Sequence, residues 1–339
     1  MPRVALLMVA LGAVLTSGGA ACAYNLYGPY PFGNEGDTYY SKWGDYFHAG
    51  TPGGVITWSI MPDGTTIDPS FTDANVSGTS SLVSIMNTLG YDQAVAVIER
   101  AFDRWSAAAN IYFVHVSDSG APFNGSGAYP PNTGLIRFGA FPIANFGGGA
   151  YGYGPHPNGF TSLEGDVLLN ANNTFFFDNG AEGELIDVFN DFESLIMHET
   201  AHTIGIDHSD TQSVTSQNFD IFKFVNRELD ADDIAAVQFL YGPSLAADFD
   251  MNSLVEPADF ATWASGFGTS SAATRSDGDA DGDGDVDGDD FLAWQRELGS
   301  GALVAPQENV QAVPEASAGA LALLAAAFTF VGARLRRSA

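Results

Sequence analysis

The run His198-Glu199-Thr200-Ala201-His202-Thr203-Ile204-Gly205-Ile206-Asp207-His208 has residue types and spacing suited to metal-assisted hydrolysis. On a helix, positions i and i+4 share a face, so His198 and His202 can aim two imidazoles at one ion. Glu199, one residue round the helix, falls beside the water such an ion would activate and can serve as general base. Gly205 permits the left-handed backbone that ends a helix and turns the chain sharply, which returns His208 as a third ligand. Three protein ligands leave a fourth position open, the pattern of a catalytic zinc.

Several elements must position this run. Val55 to Ile60 alternates like a strand, as does Ile111 to Val116. Phe71 to Leu89 reads as an insertion with a short helix near Ser81 to Thr88, and Asp92 to Ala107 reads as an amphipathic helix. A further strand is expected around Leu135 to Phe138. Residues 24 to 53 are rich in Tyr, Gly and Pro and show little period. The glycine-rich run Phe146 to Gly154 is expected at the rim of a cleft, where an extended peptide could pair with a sheet edge; a plain surface loop is the alternative. His48, His115 and His156 read as surface or filling residues rather than ligands, and Asp232 and Asp233 as acids suited to the first turn of a helix.

Acidity is concentrated further along. Asp248, Asp250, Asn252 and Asp259 occupy positions 1, 3, 5 and 12 of one loop, and Asp279, Asp281, Asp283, Asp285 and Asp290 supply oxygens in a second. Alternating oxygen side chains in a tight loop deliver the crowded ligand set calcium needs, so up to two Ca2+ are expected. The second loop has Gly284 at its sharp turn, whereas the first has Ser253 there and should bind more weakly. Phe260, Trp263 and Phe267-Gly268 reappear about 31 residues on as Phe291, Trp294 and Leu298-Gly299, which makes loop plus helix an internal repeat.

The histidine run carries the signature of the metzincin metallopeptidases. Its surroundings resemble the matrixin branch: Phe192 to Met197 leads into the first histidine, and Leu229 to Gly242 resembles that family's closing helix. Ala94 to Ala107 is similar to its first helix, and Leu135 to Phe138 and Gly165 to Leu169 to two of its strands. The resemblance implies one catalytic Zn2+ on His198, His202 and His208, Glu199 as the catalytic residue, and a polypeptide substrate. There are departures. No methionine lies between Met197 and Met251, so the family's methionine turn lacks its methionine; by spacing, Thr215 or Ser216 stands there. In matrixins that residue is a hydrophobic floor, not a ligand. The only cysteine, Cys22, lies in the leader, so latency through a propeptide cysteine is unavailable. The family's structural zinc needs several histidines where this chain offers only His156, so a single zinc is expected.

The acidic repeat resembles a dockerin, which implies a cohesin-like partner; a calcium-stabilised spacer is the alternative. Residues 1–23 read as a signal peptide, with Arg3, an apolar core and Ala21-Cys22-Ala23. After a linker at 302–312, Val313-Pro314-Glu315-Ala316-Ser317, an apolar run and Arg334, Arg336 and Arg337 resemble a PEP-CTERM sorting tail at 313–339. That tail implies exosortase-type processing and at least transient membrane contact; a plain C-terminal anchor competes with it. A net charge of −29 argues against nucleic-acid binding through a basic surface.

The expected fold class is α+β. A metzincin-like catalytic domain (24–243) has a twisted mixed sheet, an active-site helix and a C-terminal helix. A small all-α EF-loop dockerin-like domain (244–301) follows. The expected function is that of a secreted or envelope-associated bacterial zinc endopeptidase. The competing reading is a catalytically weak zinc-binding surface protein that acts through docking.

Overall fold

The computed structural model describes residues 24–32, 37–124, 133–145, 148–155, 164–184, 191–209, 213–216 and 225–301. The leader with Cys22, His156, the linker and the sorting tail lie outside the described residues. Among those described, no helix is long and apolar enough to cross a membrane.

Five strands make the central sheet: β4 (Gly54–Ile60), β5 (Ile111–His115), β6 (Ile136–Phe141), β7 (Ala150–Gly152) and β8 (Val167–Asn170), in the order β5-β4-β6-β8-β7. The first four positions are parallel, and β7 alone runs antiparallel, along β8 at the sheet's edge. The parallel strands β6 and β8 are buried throughout and apolar except for Arg137, which pairs with Asp118, and Asn170, which accepts from Ile143 N–H.

Helix α1 (Leu82–Leu89) precedes the long α2 (Tyr91–Ala108), whose buried stripe includes Val97, Ile98, Ala101, Phe102 and Trp105. That stripe packs into the main core together with sheet residues Trp58 and Phe138 and with Ile196 and Ala201 of α3 (Phe192–Thr203). Trp105 Nε1–H also donates to Thr200 Oγ1 at 3.2 Å, which ties the two helices by a polar contact inside the core. Helix α4 (Ala231–Tyr241) closes the domain; its Tyr241 hydroxyl donates to the carbonyl of Ile204, at the end of α3.

The stretch with little period contains three short strands. β2 (Tyr30–Phe32) and β3 (Asp37–Tyr39) pair with each other, and β1 (Asn25–Leu26) pairs with β9 (Ile206–Asp207), 180 residues away. No local pattern could announce a partner that distant.

The repeat consists of two loops followed by α5 (Pro257–Gly266) and α6 (Gly288–Glu297), with a 3₁₀ turn at Arg275–Asp277 between them. The copies clasp one another. Trp263 Nε1–H donates to Asp287 O at 2.8 Å, and Trp294 Nε1–H donates to Glu256 O at 3.1 Å. Gly268 N–H donates to Val286 O, and its counterpart Gly299 N–H to Val255 O. Contacts cross the expected 243/244 boundary. Tyr112 of β5 donates its hydroxyl to Asp248 Oδ2 at 2.9 Å, and the Arg275 guanidinium lies over the Tyr112 ring. The described residues fall within one compact unit that runs through Gly301.

Candidate metal centre and active site

Helix α3 is buried at ten of its twelve positions, including His198, Glu199 and His202. Burying that many polar side chains is costly unless each is partnered, so the local hydrogen bonds decide what the site is. Asp191 caps the helix by accepting from Ser194 N–H, and Arg227 holds Asp191 in turn. At the other end Gly205 adopts φ +94°, and a Cβ there would lie 1.9 Å from the carbonyl oxygen of Ser41. The turn therefore requires glycine on both counts, as its place in the motif suggested.

The three histidines converge, with one ligand atom from each within 4.8 Å of the others. His198 Nδ1 lies 2.7 Å from the carbonyl of Val214 and His202 Nδ1 lies 2.8 Å from that of Ile206. A carbonyl only accepts, so both Nδ1 atoms carry the proton and both Nε2 atoms present a lone pair. Those two Nε2 atoms are 3.2 Å apart. Two tetrahedral zinc ligands with Zn–N near 2.05 Å would be separated by about 3.3 Å. The spacing fits a shared cation, and two bare lone pairs at that distance would otherwise repel. Burial, reinforced by neighbouring imidazoles, pushes His198 well below its ordinary pKa and lowers His202 to about 4, and burial lowers His208 against the opposing charge of Asp207. All three are thus neutral near pH 7, the form that binds metal.

Glu199 points into the same buried space, and burial pushes its pKa up to about 8 against the opposing hydrogen bond from Gly152 N–H. Gly152 ends β7. A Cβ there would meet the Glu199 carbonyl at 2.6 Å and His202 Cβ at 2.9 Å, so only glycine lets the edge strand lie this close to α3. The described part of the glycine run includes β7, the last strand of the sheet among the described residues, which lies against the histidine helix. Phe146 and Gly147 lie outside the described residues.

The turn beneath the site is built from Ser213 to Ser216. Thr215 and Ser216, expected there by spacing, are both buried. The neighbouring Val214 belongs to the main core, and its carbonyl orients His198. Its own N–H donates to Asp233 Oδ2, which also accepts from Asp230 N–H in the capping box of α4. Asp233 therefore does more than serve a helix terminus. Tyr27, Asn25, Gly152, Val214 and Asp233 escaped the motif reading. Only the capping pattern at Asp230–Asp233 carried a sequence signal, and it pointed to a helix start rather than to the metal site.

Residues 147–242 match the matrixin peptidase family. This matrixin-like segment contains the whole histidine triad, Glu199 and α4. The chain is also 28% identical over 159 residues to metalloendoproteinase 1-MMP of Arabidopsis thaliana, covering 47% of this chain. It spans 41% of that relative's length. Each similarity covers less than half of the chain, and the family match encloses the triad.

Three further groups of converging acids lie in the repeat: Asp248, Asp250 and Asp259; Asp279, Asp281 and Asp290; and Asp285, Asp287 and Asp290. Asp287 was not among the expected ligands. Asp283 is absent from these groups and accepts instead from Asp285 N–H. Asn252 sits at the exposed side of the first loop, its Oδ1 accepting from Leu254 N–H. His48 pairs with Asp45 at 2.8 Å, and His115 stacks on Trp58 at 3.9 Å.

Proposed function

We propose that the chain is a secreted or envelope-associated zinc-dependent endopeptidase acting on extracellular polypeptides. The observation that carries this is the pair of Nε2 lone pairs 3.2 Å apart with buried Glu199 beside them. Zinc, when bound by His198, His202 and His208, would supply Lewis-acid polarisation of the scissile carbonyl and a more acidic water. The chain's own groups do the rest. The free edge of β7 pairs an extended substrate backbone and lays it across α3. With a cation held beside it to offset the burial that raises its pKa, Glu199 would be ionised, take the proton from the attacking water and deliver it to the leaving amine. Gly152 N–H fixes the carboxylate's orientation, and the carbonyls of Val214 and Ile206 fix the imidazoles.

The acidic repeat is read as a calcium-binding, dockerin-like module, whose partner would be cohesin-like. The sorting tail is read as a substrate for an exosortase-type enzyme. The supports for these finer readings are the repeated loop pattern and the tail's residue order. The deciding experiment digests a peptide library with zinc-loaded wild type and Glu199→Ala. Cleavage by wild type alone is expected. Equal cleavage by both would overturn the mechanism, and cleavage by neither, with zinc bound, would favour the non-catalytic zinc-binding reading.

A further inference from the structure

The third ligand does not sit on α3. His208 follows β9, a two-residue strand that lies outside the five-stranded sheet and pairs with β1. What holds β9 therefore helps to hold the metal site. The N-terminal segment contacts β9 and the residues around it. Asn25 and Leu26 pair in register with Asp207 and Ile206. Asn25 Nδ2–H donates to His208 O at 2.8 Å, and Tyr27 N–H donates to Gly205 O at 2.9 Å. Tyr27 Oη lies 3.3 Å from His202 Nδ1, with the two rings 5.8 Å apart.

The last contact has a defined chemistry. His202 Nδ1–H already donates to Ile206 O, so the phenolic oxygen is a second acceptor for the same proton. It lies on the side of the ring away from Nε2, so it acts through the imidazole and not on a substrate. The Tyr27 ring is also confined. A Cβ on Gly154, just past the rim strand, would be 2.8 Å from it, and Tyr27 O accepts from Ser41 N–H, whose residue crosses over Gly205. One side chain thus bridges the rim after β7 and the second histidine.

The geometry points to Asn25–Tyr27 as a positioning strap for the metal ligands, with Tyr27 orienting the His202 imidazole and Asn25 fixing the backbone of His208. This rests on the reading of the triad as a zinc site. Outer hydrogen-bond partners of ligating histidines typically change metal affinity by about 10- to 100-fold. The strap's loss should fall in that range, and loss of the hydroxyl alone near its lower end.

The test uses the full chain and the metal alone. Zinc affinity is measured by competition with a chromophoric chelator for wild type, Tyr27→Phe and the double variant Asn25→Ala/Tyr27→Ala. Visible absorption of the cobalt-substituted proteins is recorded alongside. Tyr27→Phe keeps the ring and its packing, so it separates orientation from folding. The expected result is an approximately tenfold weaker affinity for Tyr27→Phe, a larger loss for the double variant, and an altered cobalt spectrum in both. Tight binding by wild type with unchanged affinity and spectrum in Tyr27→Phe and the double variant overturns the strap alone. If wild type itself binds no zinc, the triad reading falls and the strap with it.

Discussion

The histidine centre and the acidic repeat bring candidate metal ligands together in opposite ways. In the first, His198 and His202 are buried and His208 half-buried, and the first two are each held by one backbone carbonyl from outside the helix. In the second, carboxylates crowd together and are held by N–H groups of their own loops: Asp259 Oδ1 accepts from Phe249, and Asp290 Oδ1 from Ala280. Neutral ligands leave a core that tolerates the absence of an ion. Like charges within a loop repel until a cation arrives. Partial desolvation, then neighbouring carboxylates, raise Asp281 and Asp285, while burial pushes Asp248 up to about 6. The zinc centre should therefore be preorganised, and the repeat should be organised by its ion.

The sharpest way to break that contrast is to remove one ligand from the preorganised site. His202→Ala should abolish stoichiometric zinc binding and cleavage while the circular-dichroism spectrum stays native, because α3 is anchored by Trp105 and the core. Unfolding of this variant would show that the imidazoles carry the fold as well as the metal.

Next in size is Gly152→Ala. The added methyl must push β7 away from Glu199 and His202, and a displacement of about 1 Å at a reacting group can cost on the order of 10²-fold in rate. Activity should fall at least tenfold with zinc still bound, read as kcat and KM on a fluorogenic peptide alongside metal content. An unchanged kcat would remove the edge strand from the catalytic machinery.

These two variants also show how much the sequence disclosed. His198, Glu199, His202 and Gly205 were legible because a single helix and its terminal turn dictate their spacing, and α2 and β4 because their apolar periods are uninterrupted. The importance of Gly152 was not, since a glycine in a glycine-rich run is silent about which helix it touches. Val214 and Tyr27 were hidden for a related reason: each contributes to the site through a contact made across the fold, by a backbone carbonyl or by a side chain 175 residues from its target. The two acidic loops were legible by repetition, but the contact of Tyr112 with Asp248 was not, because it joins β5 to a module that composition alone set apart.

Ion removal should separate the two regions. Calcium at about 100 times its dissociation constant should stabilise whichever region binds it by roughly 2.7 kcal/mol, detected as raised protection of residues 244–301 in hydrogen exchange. Protection confined to 24–243 would contradict the assignment of the ion to the repeat. Because Tyr112 and Arg275 bridge the two regions, some protection should extend to β5.

A smaller effect follows from Asp233, whose carboxyl burial pushes up to about 7. The folded protein then holds this proton between pH 4 and 7 where the unfolded chain, with an aspartate near 3.9, has released it. Its contribution to stability is fully present below about pH 4 and is lost as pH rises through about 7. In zinc-free protein, the melting temperature of Asp233→Asn relative to wild type should therefore climb between pH 4 and pH 7. A flat difference would mean that the carboxyl is ionised throughout and that Val214 is held by a charged acceptor.

The smallest effect compares the repeat with itself. The loops place their fourth and sixth residues in the same left-handed region: Met251 and Ser253 at φ +57° and +68°, Gly282 and Gly284 at +77° and +88°. In both, the sixth residue's N–H donates to the first aspartate, at 2.7 Å from Ser253 to Asp248 and 2.9 Å from Gly284 to Asp279. The hydrogen bond is thus kept in the first loop at a conformational cost of about 1–2 kcal/mol per non-glycine residue, which the second loop does not bear. Ser253→Gly removes that cost without touching a ligand. It should stabilise the first loop by up to about 1 kcal/mol, offset in part by the greater freedom glycine has when unfolded. Isothermal titration should then show the weaker of two calcium affinities rise by a factor of about five, toward that of the second loop. If the weaker affinity does not move, the difference between the copies lies in the anchoring of Asp248 by Tyr112, and Tyr112→Phe should shift it instead.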